Sequence, residues 1–117
     1  MAKVFHVLTP EQKETYLKEN SYHPESLEND GFIHFSKADQ IDSVIQNFYS
    51  DYEKLILWRI SEAKLTEKLV YEPPLEAPTS GILFPHYYQT LDYRFVEKTF
   101  VLMKENGKFS LPSNLLE

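Results

Sequence analysis

Six residues near the middle of the chain, Leu55-Ile56-Leu57-Trp58-Arg59-Ile60, form an almost unbroken apolar run. A strand with one wet face would carry polar side chains at every second position, so a run without alternation reads as a strand covered on both faces. Such a strand needs a neighbour on each side and a layer above and below. Val4-Phe5-His6-Val7-Leu8 and Val96 to Met103 are apolar enough to be strand partners. With 117 residues, the chain can build one such core and is short for two, which predicts a single domain over 1–117.

Helix signals lie between these strands. Thr9-Pro10-Glu11-Gln12 combines a capping threonine, a first-turn proline and a glutamine placed to close a capping box. It predicts a helix carrying Tyr16 and Leu17 and ending near Asn20. Residues 21–30, with Pro24, read as a polar surface loop closing at Asp30-Gly31. Phe32 to Phe35 read as a strand. Ser36 then reads as the cap of a second helix, with Asp39 three residues on and Ile41, Val44, Ile45 and Phe48 at helical spacing.

Beyond the central run, Ser61 is expected to cap one helical turn and Lys68 to Glu72 to form another strand. Pro73, Pro74 and Pro78 make the next stretch extended and irregular as far as Thr79-Ser80-Gly81. Ile82-Leu83-Phe84 reads as a brief strand leading into a turn at Pro85-His86. Asn106-Gly107 marks a hairpin from which Phe109 to Leu111 return, and Pro112 to Glu117 are expected to fray. The class is α+β: a compact mixed or split β-sheet with two main flanking helices.

Charge and composition narrow the partners. A formal net charge of -6 opposes the broad basic surface that extended nucleic acid requires. No apolar run approaches the roughly 20 residues of a membrane helix, and the amino-terminal residues lack the pattern of a secretory signal. The absence of cysteine suits a reducing compartment, so cytoplasm is the expected location. Four scattered histidines without cysteine give no metal-ligand spacing, and no metal is expected.

The candidate chemistry sits on three segments. In Gly31-Phe32-Ile33-His34-Phe35-Ser36 the two-residue strand period puts Phe32, His34 and Ser36 on one face, with His34 just before a helix start able to attract an anion. In Phe84-Pro85-His86-Tyr87-Tyr88 the proline sets the backbone ahead of an imidazole able to act as acid or base, while Tyr88 offers a ring and a hydroxyl. Glu72, ending Leu69-Val70-Tyr71-Glu72, could orient a histidine or stabilise positive charge. Each has a plainer alternative: a satisfied strand histidine, packing aromatics, a solvated strand-end carboxylate. His6, between Val4 and Leu8 on one strand face, reads first as a half-buried structural histidine.

Taken in order, Val4-Phe5-His6-Val7, Gly31-Phe32-Ile33-His34-Phe35-Ser36 with Gln40, Phe48-Tyr49, Tyr71-Glu72-Pro73 and Leu83-Phe84-Pro85-His86 with Tyr88 resemble the bacterial and plant family called domain of unknown function 952. The resemblance spans about 3–104 and leaves a hairpin and tail at 105–117. More remotely, that family resembles the ADP-ribosyltransferase-like fold, a split sheet that binds NAD in a cleft. This implies NAD as ligand or substrate and an ADP-ribosyl-transfer or glycohydrolase-type reaction, active or degenerate. His34, His86 and Glu72 would then be catalytic, with His6, Ser36 and Tyr88 contacting the cofactor. The alternative is a non-catalytic module that binds a small anion, metabolite or protein.

Overall fold

The computed structural model describes residues 2–117. The chain runs through β1 (Lys3–Leu8), α1 (Pro10–Tyr16), β2 (Leu17–Lys18), β3 (Ser21–Tyr22), α2 (Glu25–Asn29) and β4 (Ile33–His34). It continues through α3 (Ile41–Phe48), β5 (Lys54–Ser61), β6 (Leu69–Glu72), β7 (Phe84–Tyr87), β8 (Leu91–Asp92) and β9 (Val96–Met103). The strands form three small antiparallel sheets, ordered β1-β5-β9, β2-β3-β8 and β4-β7-β6. The α+β class holds, with short helices and a sheet divided into parts.

The apolar run is the middle strand of the first sheet, and every residue from Leu55 to Ser61 is buried. Its two faces serve two cores. Ile56, Trp58 and Ile60 pack with Val4, Leu8, Tyr22, Ile33 and Tyr87 under the smaller sheets, while Leu55 and Leu57 pack with Phe5, Val7, Ile41 and Ile45 under α3. Period-two alternation on β1 sends His6 to the first core and Phe5 to the second.

Several local readings need correction. The first helix stops at Tyr16 because Leu17 turns extended and pairs with Tyr22. Residues 21–30 are not a loop: they hold β3 and α2, and the fully buried Tyr22 anchors them in the core. Ser36 does not cap the second helix. Its N–H donates to the Phe5 carbonyl at 2.7 Å and its carbonyl accepts from Phe5 N–H at 2.8 Å, tying the chain after β4 to β1. A 3-10 turn at Ala38–Gln40 intervenes before α3, and Gln40 Oε1 receives the Lys37 N–H.

The strand expected at 82–84 lies instead at Phe84–Tyr87, with Pro85 and His86 inside it. Pro85 accepts a hydrogen bond from Phe35 N–H at 2.9 Å and has no N–H to return one. The β4–β7 ladder therefore ends there, and Phe35-Ser36 passes to the first sheet.

At the carboxyl end, Asn106 and Gly107 take positive φ values of 52° and 79°, the backbone a tight hairpin turn demands. Phe109 and Leu111 pack against the second core rather than returning as a strand, and Leu115 joins them. The last residues do not fray. Buried Arg59 donates to the main-chain oxygens of Leu115 at 3.1 Å and Glu117 at 2.5 Å, and to Glu97 Oε1 at 3.0 Å. Replacing it by Arg59→Met is expected to lower stability to urea by about 1–3 kcal/mol and to speed amide exchange across 109–117. Unchanged exchange there would refute the clamp.

Candidate functional site

Antiparallel register sets His34 of β4 directly opposite His86 of β7, so two histidines far apart in sequence become cross-strand neighbours. Their ring centroids are 5.5 Å apart and nearly perpendicular, at 79°. Phe32 lies flat on His86 with centroids 3.9 Å apart and planes within 15°, and also meets the edge of His34. The period-two face expected for Phe32 and His34 is thus the one that meets β7.

Each imidazole is anchored through one nitrogen. His86 Nδ1 is 2.9 Å from Glu72 Oε1, and His34 Nε2 is 3.1 Å from Asp30 Oδ2. A carboxylate only accepts, so the anchored nitrogens carry the protons. His86 Nε2 and His34 Nδ1 are left without a hydrogen-bond partner among the described residues. Burial pushes the His86 pKa below its ordinary value, the Glu72 hydrogen bond opposes that, and nearby His34 adds to it. His86 is therefore a neutral base at pH 7.

Glu72 accepts a second hydrogen bond, from the Tyr88 hydroxyl. The Tyr88 and His86 hydrogen bonds hold the carboxyl of Glu72 below its usual range against its partial desolvation, and the same bond pushes the Tyr88 phenol up to about 12. Glu72 faces His86 and Tyr88. Of the two sequence readings for this carboxylate, the geometry matches the one that orients a histidine.

His6 is buried and uses both ring nitrogens. Nδ1 lies 2.7 Å from the His34 carbonyl oxygen and Nε2 lies 2.9 Å from the Tyr22 hydroxyl. A carbonyl cannot donate, so Nδ1–H donates to His34 and Nε2 accepts from Tyr22. Desolvation lowers the His6 pKa to about 4, outweighing the backbone bond to His34, and burial raises that of Tyr22.

A cavity of about 500 Å³ opens where the first and third sheets diverge, with His6, His34, Ser36 and His86 all on its wall. The volume is in the range of small-molecule sites. The sequence reading nominated these four residues. Glu72 and Tyr88 stand behind His86 and are absent from the wall.

Other lining residues escaped the sequence reading. Asp30 looked like a turn residue, and Tyr22 was assigned to a surface loop. Phe48 fits the helical stripe but is 57% exposed, and it lines the cavity with Tyr49 and Tyr52. A large aromatic at the last turn of a short helix, followed by two tyrosines, was the available signal. No group of three or more histidine, aspartate or glutamate side chains suited to a metal occurs among the described residues. No described helix is long and apolar enough to cross a membrane.

The family model described as "Protein of unknown function (DUF952)" matches residues 7–99. The crystal structure of protein CC0527 from Caulobacter crescentus is similar at a TM-score of 0.78 and 22% identity, covering 92% of this chain and 93% of that one. The solution NMR structure of CC0527 aligns at a TM-score of 0.73 and 22% identity, covering 93% and 91%. These likenesses establish the fold. No curated protein matches the chain.

Two histidines should report this geometry as they titrate. The His6 pKa is depressed on folding, so the unfolded chain binds more protons and stability rises with pH. Its contribution is complete above 6.5 and is lost as pH falls toward about 4, a change on the order of 3 kcal/mol. Urea unfolding as a function of pH is expected to show this loss, and His6→Asn to flatten the curve over that window. For His86, NMR titration should give a pKa below 6.5 that moves lower still in Glu72→Gln, since Glu72 holds it up. A rise would contradict the orientation described.

Proposed function

The chain belongs to the DUF952 family of proteins of unknown function, and from its site we propose a small-ligand pocket in which His86 acts as the acid–base group. One observation carries this reading. Two imidazoles on neighbouring strands, each anchored to a carboxylate through one nitrogen, share a cavity of about 500 Å³. A neutral ring fixed in one tautomer, with its second nitrogen unengaged, is prepared to take a proton, and the Glu72 carboxylate stabilises the imidazolium that results. His34 supplies a hydrogen-bonding neighbour and Ser36 a hydroxyl on the same wall. His6 and Tyr88 are positioning residues, acting through the His34 carbonyl and through Glu72.

NAD, the ligand implied by the ADP-ribosyltransferase-like resemblance, is the specific candidate, in the cytoplasm. Among the described residues the cavity wall includes no lysine or arginine, so the pyrophosphate finds no cationic partner inside. Under this reading the nicotinamide riboside half occupies the cavity and the phosphates stay outside it.

Nicotinamide riboside is therefore expected to perturb the His34 and His86 resonances and to bind within about threefold of NAD, since the phosphates add little. Release of nicotinamide from NAD should fall by roughly a hundredfold or more in His86→Ala, with thermal unfolding checking that the variant folds. If neither compound disturbs either imidazole, the NAD reading is wrong. Binding without release would leave a non-catalytic receptor, a second reading favoured by the turn of Glu72 away from the cavity.

A further inference from the structure

Given the ligand pocket proposed above, on which the choice of ligand class rests, the charge and chemistry of its wall narrow what can enter. Glu25, Asp30 and Glu76 line the cavity, and among the described residues no lysine or arginine does. Nor is any of the three paired with a described lysine or arginine. Glu25 accepts only from the Tyr16 hydroxyl and the Asn29 amide, Asp30 accepts from His34, and Glu76 has no hydrogen-bond partner among the described residues. Their negative charge is left for whatever enters.

Aromatic surface stands on the same wall. Phe48, Tyr49 and Tyr52 line it, with the two tyrosine rings 5.8 Å apart and tilted by 47°. Phe48 is 57% and Tyr52 40% exposed, leaving ring surface accessible at the opening. Ring faces are negative by quadrupole and attract a cation within about 6 Å. His86 lines the same cavity and is only 2% exposed, and its Nε2 is an acceptor without a partner among the described residues. Carboxylates, ring faces and a lone pair all favour positive charge and all repel an anion.

We propose that the pocket selects an organic cation: a protonated or quaternary nitrogen on an aromatic or short alkyl body, its charge set among Glu25, Asp30, Glu76 and the faces of Tyr49 and Tyr52. The apolar body of the ligand covers the exposed Phe48. Small anions are rejected, which reverses the anion preference that the sequence suggested when Ser36 was read as a helix cap. The Ser36 N–H that would have held an anion is spent on Phe5.

Three probes of one shape and different charge test this: benzyltrimethylammonium, benzyl alcohol and benzoate, titrated into the intact chain with the His34 and His86 imidazole resonances as reporters. The ammonium probe is expected to bind at least about fivefold more tightly than benzyl alcohol, and benzoate most weakly. Added salt should erode the ammonium advantage and leave benzyl alcohol unaffected. Glu76→Gln and Tyr52→Leu, both at exposed positions, should each cut the ammonium preference severalfold. If benzyl alcohol or benzoate shifts both imidazoles as strongly as the ammonium probe, the pocket stands and cation selection falls. If no probe shifts either imidazole, the ligand site itself falls, and cation selection with it.

Discussion

A single buried imidazole joins the three sheets. His6 lies on β1 of the first sheet, donates to the backbone of β4 in the third, and accepts from a tyrosine on β3 of the second. The second sheet is built from strands of two residues and the third from strands of two to four, so their relative placement depends on packing and on cross-ties such as this one. The Tyr22 and Phe35 rings meet the same imidazole at 5.3 and 5.5 Å, and Trp58 at 6.1 Å. A charged ring here would face an apolar shell out of reach of water, and it is this desolvation that holds His6 neutral.

The second constraint is the junction between the first and third sheets. Its backbone part is one isolated bridge among the described residues, Phe5 with Ser36, beside the side-chain tie from His6. Pro85 sets where the chain passes between the sheets, because its missing N–H ends one ladder and frees the chain to begin the other. The cavity opens where these sheets diverge, and its chemistry is set by strand register. A slip of one residue between β4 and β7 would turn His34 and His86 to opposite faces.

Much of this was legible in the amino-acid order. Nearly unbroken apolar sequence at 55–60 marked the middle strand, Thr9 to Gln12 the first cap, and Asn106-Gly107 the turn, because each depends on residues close together. The side-chain periodicity that grouped Phe32, His34 and Ser36 is likewise local. What stayed hidden depends on distant pairing. Ser36 looks like a cap because serine usually is one there, and only the arrival of Phe5 redirects its backbone. Tyr22 sits among polar neighbours and is buried by strands that come much later. Arg59 interrupts an apolar run yet is satisfied by the carboxyl-terminal main chain, a partner that no local pattern announces. Glu72 becomes a histidine partner only when β6 pairs with β7, whereas Asp30 lies four residues before its partner His34 and was hidden because Asp-Gly reads as a turn.

The placement of Glu72 behind His86 has a consequence for proton traffic. One nitrogen of the ring has no hydrogen-bond partner among the described residues, while the other is bonded to a carboxylate whose side chain is 31% accessible to solvent. Phe32 seals a face between the two. The same imidazole thus borders the cavity and shares its Nδ1 proton with a group in contact with solvent, so a change in charge on the ring is offset by a carboxylate outside the cavity wall.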